Sequence, residues 1–205
     1  MYVTRFTPTE RALHWVHAIS FFALLATGVA LYVPELTAAF GSRAQLRDLH
    51  LAIAVAWIVA LVAVVVLGDR RALRQTLRDL DVLDEDDRAW GLRNMDVPQG
   101  RFNAGQKRNA AITAAFAVLF IVSGLLLWYG ARNNDFSLSG AVFLHDALTL
   151  FAIVLVAGHL YLALLHPSTR HALRGMTLGT VRADWARKHH AKWDPDRLGR
   201  DPDGS

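Results

Sequence analysis

The chain has 205 residues, 53% hydrophobic and 20% charged, with a formal net charge of +4 and no cysteine. That length suits one domain, and the hydrophobic share is high for a soluble protein. Without cysteine the chain forms no disulfide, no thioether-linked c-type haem and no iron–sulfur cluster of its own, so any electron chemistry falls to histidine or methionine ligands.

Four apolar stretches follow one another along the chain, at about 13–33, 50–68, 109–130 and 141–166. Each is about 18 residues or longer and nearly free of charge, which is what a helix needs to cross ~30 Å of hydrocarbon. None carries the recurring polar stripe of a soluble bundle helix. The first stretch follows a short basic start but is too long for a signal peptide, contains His14, Trp15 and His17, and lacks a small-residue cleavage site, so it reads as a retained helix. The loop 69–108 mixes charge signs and ends in the turn-forming "VPQG"; around 70–83 it predicts a helix lying along the membrane surface. Residues 1–193 thus read as one four-helix transmembrane domain, and the polar tail 194–205 as disordered.

The basic residues set an orientation. Of the 22 Lys and Arg, the loop 69–108 holds nine and the tail from 167 onward holds eight, while the connections 34–48 and 131–140 hold only Arg43, Arg47 and Arg132. Lys and Arg collect on the cytoplasmic side. Both termini and the long loop are therefore expected in the cytoplasm of a bacterial inner-membrane protein. The basic excess follows topology, so it does not point to nucleic acid.

Six of the nine histidines, His14, His17, His50, His145, His159 and His166, stand at or inside the spans. Ionisable side chains there are rare and usually functional. A neutral imidazole satisfied by a backbone carbonyl or hydroxyl is the competing explanation for any single one. Their arrangement favours function. His145 and His159 are fourteen residues apart, four turns of 3.5, hence on nearly one helix face and ~21 Å apart along the axis. By depth, His50 matches His145 near the outer surface, and His14 or His17 matches His159 or His166 near the inner one. Two imidazole pairs at two depths fit two bis-histidine haem b sites in a bundle better than a zinc site, which gathers three or four ligands at one point. Spacing leaves His14 against His17, and His159 against His166, open.

The segments "ERALHW", "LRDLH", "RFNAGQK", "FLHDALTLFAIVLVAGHLY" and "WARKHHAKW" together resemble the gamma subunit, the membrane cytochrome b, of respiratory formate dehydrogenases, from about residue 4 to residue 193. The resemblance implies an all-α integral membrane protein, a four-transmembrane-helix bundle with two haems b. It implies that His50 and His145 ligate the outer haem and His14 and His159 the inner one. It also implies a menaquinone or ubiquinone pocket beside the inner haem, with Asn103 and Gln106 as polar contacts. An iron–sulfur beta subunit would deliver electrons from a molybdenum or tungsten alpha subunit, and the heterotrimer could assemble further. From the residues alone, Asn103 and Gln106 read first as a helix-capping box. Arg11 and Arg47 stand next to the proposed haem ends, and Gly28, Gly124 and Gly158 permit close approach of a helix or macrocycle. The same cytochrome type could serve a hydrogenase or thiosulfate reductase. A haem-free histidine-containing transporter is a further alternative, but the spans carry no polar pathway beyond Asp146, Thr149 and a few small hydroxyls.

Overall fold

Thr7 starts the first long helix. Its hydroxyl accepts from the Glu10 N–H, Glu10 Oε2 accepts from the Thr7 N–H at 2.7 Å, and Pro8 takes the first helical position. This reciprocal box satisfies N–H groups that have no partner within the helix. Helix α1 (Pro8–Tyr32) is followed by the short α2 (Pro34–Ala39) and by α3 (Arg43–Leu67), which the Ser42 side chain caps. Next come α4 (Arg70–Asp81), α5 (Glu85–Ala89), α6 (Ala104–Gly130) and α7 (Ser139–Leu160). Beyond α7 the chain continues as a π-helical turn (Tyr161–Leu165), then α8 (Leu173–Leu178) and α9 (Ala183–His189). The computed structural model describes residues 1–90, 97–133 and 138–195. The expected disorder of the tail falls almost wholly on residues outside that set.

Among the described residues, four helical segments are long and apolar enough to span a membrane: Pro8–Tyr32, Arg43–Leu67, Ala104–Gly130 and Ser139–Leu165. Leu67, Phe143 and Val154 are 84%, 75% and 70% exposed, a surface suited to hydrocarbon rather than water. Each of the first three helices begins earlier than its apolar run, because a cap rather than hydropathy sets the start. His50 therefore lies in the second turn of α3 and does not open it. The expected helix around 70–83 is α4, with Ala72 and Leu73 buried.

The chain forms two compact units. The first is built from Tyr2–Arg78 with Arg174–Val181, and packs α1 against α3. Here a small two-stranded sheet pairs β1 (Tyr2–Thr4) with β2 (Thr180–Arg182), an exception to the all-helical expectation. Gly179 makes the turn into β2 with φ 81°, and its carbonyl accepts from Arg5 and Phe6 N–H at 2.8 and 3.1 Å. A Cβ there would sit 2.8 Å from the Phe6 carbonyl oxygen, so the position requires glycine.

The second unit, mainly Asp79–Leu173 with Arg182–Asp194, packs α6 against α7. A buried ion pair in this unit joins Lys107 Nζ to Asp87 Oδ2 at 2.5 Å, with side chains 9% and 2% exposed. Lys107 also donates to the Val82 carbonyl at 2.7 Å. Asp87 in turn closes a capping box with Asp84 on α5, so one ion pair ties α5 to the start of α6. Nearby, Lys192 and the Asp87 backbone N–H hold the Asp84 carboxyl down to about 2.

Candidate functional site

In the first unit, Thr27 of α1 faces His50 of α3. Thr27 Oγ1 lies 2.8 Å from His50 Nδ1, and also 2.9 Å from the Ala23 carbonyl oxygen and 3.1 Å from that of Leu24. A hydroxyl has one proton to give. Donated to the carbonyl of its own helix, as buried helical threonines commonly do, it leaves Oγ1 to accept from the imidazole. This assigns the proton to His50 Nδ1 and the lone pair to Nε2.

The second unit repeats the arrangement with different residues. Ser123 of α6 is fully buried, and its Oγ lies 2.8 Å from the Leu119 carbonyl oxygen and 2.9 Å from His145 Nδ1. By the same reasoning His145 carries its proton on Nδ1. The Phe120 ring meets the His145 ring edge-on at 5.2 Å, and the Thr149 hydroxyl donates to the His145 carbonyl at 2.8 Å. A neutral imidazole that carries its proton on Nδ1 is the form that iron coordination through Nε2 requires. On this observation the residues fit a haem.

Within each unit a second histidine stands far from the first. Thr27 beside His50, and His17 against Trp57 (5.6 Å between rings), fix an antiparallel register of α1 and α3. His14 is thirteen residues back along α1 from Thr27, ~20 Å. His145 and His159 lie on the uninterrupted α7, ~21 Å apart. The two open choices look different in the folded chain. His17 is engaged by Trp57 of α3. His166 follows the π-helical turn, has left the helix with φ −67° and ψ 124°, and its Nδ1 meets Ser168 Oγ at 3.0 Å. A π turn takes more residues than an α turn, so seven residues no longer return His166 to the face of His159.

Asn103 and Gln106 form the capping box that their spacing predicts. Asn103 Oδ1 accepts from the Gln106 N–H at 2.8 Å and Gln106 Oε1 accepts from the Asn103 N–H at 3.0 Å. The preceding loop is pinned by the tail. The buried His190 donates through Nδ1 to the Gly100 carbonyl at 2.6 Å, and the Lys192 N–H donates to the Gln99 carbonyl at 3.0 Å. Burial and the neighbouring Lys188 push the adjacent His189 down.

Arg11 donates to the Met176 and Thr177 carbonyls at the end of α8, and Arg47 pairs with Asp48 at 3.1 Å. Both arginines therefore have partners within the chain. A Cβ on Gly28 would make ordinary contact with His50 Cε1 at 3.6 Å, while at Gly124 and Gly158 it would meet no described atom within 4 Å. Close packing against the described residues does not call for glycine at those two positions.

The sequence profile of the prokaryotic cytochrome b561 family matches residues 5–179. The chain belongs to that family. Membership makes this a multi-pass membrane cytochrome with haem b as its cofactor. The cytochrome is 27% identical over 196 residues to the cytochrome b556(Fdn) subunit of the nitrate-inducible formate dehydrogenase of Escherichia coli K12, covering 90% of this chain and 86% of the relative. It is 28% identical over 204 residues to the cytochrome b556(fdo) subunit of formate dehydrogenase from the same organism, covering 93% and 91%. The formate dehydrogenase cytochrome b556 subunit of Haemophilus influenzae is 26% identical over 203 residues, covering 93% and 82%. Reading the sequence passed over Thr27 and Ser123. They carry a usable signal: each directly precedes a glycine and stands 23 or 22 residues before its histidine.

Proposed function

We propose that this cytochrome is the membrane subunit of a respiratory formate dehydrogenase, with two haems b, ligated by His50 and His145 towards the outer surface and by His14 and His159 towards the cytoplasm. The observation that carries the ligand assignment is the repeated hydroxyl–imidazole pair, which leaves the lone pair of His50 and of His145 on Nε2. The departure of His166 from the helix supports His159, and the resemblance to the formate dehydrogenase cytochromes supports His14 as the remaining ligand. The names of the relatives support formate dehydrogenase as the complex.

Bound haem b supplies one-electron exchange at its iron. The chain's own residues do the rest. Neutral imidazoles offer ligands without burying charge in the membrane, and the apolar spans keep water from them. The four spans form one bundle with both termini cytoplasmic, within a domain of residues 1–193. Electrons arrive from an outward-facing iron–sulfur subunit, which draws on a molybdenum or tungsten catalytic chain, and leave to menaquinone or ubiquinone on the cytoplasmic side. Each electron moved inward shifts charge across the membrane, worth about 2.3 kcal/mol per 100 mV.

A pyridine haemochrome assay on the purified complex should count two haems b per chain, and spectra of the intact complex should show both low-spin and both reduced by formate. One haem, or a high-spin signal, rejects the paired ligands; intact haems that formate does not reduce reject the donor. The distribution of Lys and Arg supports a cytoplasmic C terminus, so a reporter active only in the cytoplasm should work when fused there, and its silence would invert the orientation.

Asn103 and Gln106 border the proposed quinone site, and their oxygens are committed to the helix cap. Asn103→Ser keeps a capping oxygen and removes the amide N–H group, with a stability change of less than about 1 kcal/mol. Quinone reduction should fall while haem content and melting temperature hold. Unchanged turnover would make Asn103 a cap and nothing more.

A further inference from the structure

Thr27 and Ser123 lie in different units, on different helices, yet meet their histidines in the same way. Each is buried, each lies within 2.9 Å of a carbonyl oxygen one turn back on its own helix, and each places its hydroxyl oxygen 2.8 or 2.9 Å from an imidazole Nδ1. A buried hydroxyl at such a place needs no second partner for its proton once the carbonyl has taken it. Its remaining lone pair is what the imidazole uses. Two independent occurrences, from a threonine and a serine, at 23 and 22 residues from the histidine, make incidental packing a poor explanation.

We propose that Thr27 and Ser123 are positioning residues for His50 and His145: each hydroxyl accepts the Nδ1 proton, holds the ring in one tautomer and orientation, and tunes the reduction potential of the iron those rings ligate. The proposal rests on the ligand assignment above. An imidazole that donates from Nδ1 gains basicity at Nε2, which favours the ferric state. Losing the hydroxyl should shift the balance towards the ferrous state. Because His50 and His145 are assigned to one haem, both substitutions should move the same one of two redox centres and leave the other where it was.

The experiment uses the whole complex and the variants Thr27→Val, Thr27→Ser, Ser123→Ala and His145→Ala, with haem content, redox titration and low-spin electron paramagnetic resonance as readouts. His145→Ala tests the reading beneath the proposal: it should lose one haem, and retention of both removes His145 as a ligand. Thr27→Val keeps the side-chain shape and loses the hydroxyl. It and Ser123→Ala should each raise the ferrous-to-ferric ratio of one haem, at fixed potential, on the order of tenfold, which is 59 mV for a one-electron couple. The low-spin signal of that haem should change with it. Thr27→Ser restores the hydroxyl and should match the parent. If Thr27→Val loses that haem while Thr27→Ser keeps it, the hydroxyl is likewise assigned to holding the ligand. The proposal is overturned if His145→Ala loses a haem while Thr27→Val and Ser123→Ala leave both potentials in place. It is also overturned if Thr27→Ser shifts as far as Thr27→Val, or if both lose the haem, since packing and not the hydroxyl would then be responsible.

Discussion

Alanine in place of His159 should halve the haem b content and leave the remaining haem reducible by formate but cut off from quinone. His145, the other proposed ligand on α7, is ~21 Å away along the helix, so its surroundings are untouched. His14→Ala should give the same phenotype, because in the proposed assignment it removes the second ligand of the same haem. His166→Ala and His17→Ala are the controls. His166 stands beyond the π-helical turn with its Nδ1 on Ser168, and His17 rests against Trp57, so each of these variants should keep two haems. Haem per polypeptide and the fraction reduced by formate distinguish all four. If His166→Ala loses the haem and His159→Ala does not, the ligand is His166, and the π turn has been misjudged as a barrier to it.

Lys107→Met should loosen the junction between α5 and α6 by about 3–5 kcal/mol, the usual cost of leaving one member of a buried ion pair behind. Asp87 is 2% exposed and could not regain enough water to replace the ammonium. The variant also loses the bond from Lys107 to the Val82 carbonyl. Hydrogen exchange of the amides at 84–88 and 104–108 should accelerate by about a hundredfold or more, since 1.4 kcal/mol is a factor of ten in an opening equilibrium. Adding Asp87→Asn removes the stranded charge while an amide oxygen can still accept from the Asp84 N–H, so the double variant should recover most of the protection. Equal exchange in the single and double variants would mean that shape, not charge, holds this junction.

The membrane character of the chain was legible because composition decides it: hydrocarbon tolerates long apolar helices, and four such stretches are plain in the sequence. The N-x-x-Q spacing of Asn103 and Gln106 was legible for a similar reason. A capping box is local, and four consecutive residues contain all of it. The helix starts were harder. Arg43, Ala104 and Pro8 begin helices well before the apolar runs, because hydrogen bonding of the first turn, not hydropathy, sets the boundary. The π-helical turn after α7 left no trace in a run of apolar side chains. With the extended backbone of His166 that follows, it separates the face of His166 from that of His159.

The amino-acid sequence by itself determined how many spans there are, which ionisable side chains enter them, and the absence of any thiol ligand, since each is a property of the residues present. Only the tertiary structure decided that Thr27 and Ser123 sit on His50 and His145, that Trp57 engages His17, and that His190 and Lys192 pin the loop ahead of Asn103. These contacts join residues 22 to 93 positions apart, through groups whose partners depend on helix register and rotation. Apolar periodicity cannot supply that information in a span, because a membrane helix is apolar on every side and its sequence carries no stripe to say which face turns inward.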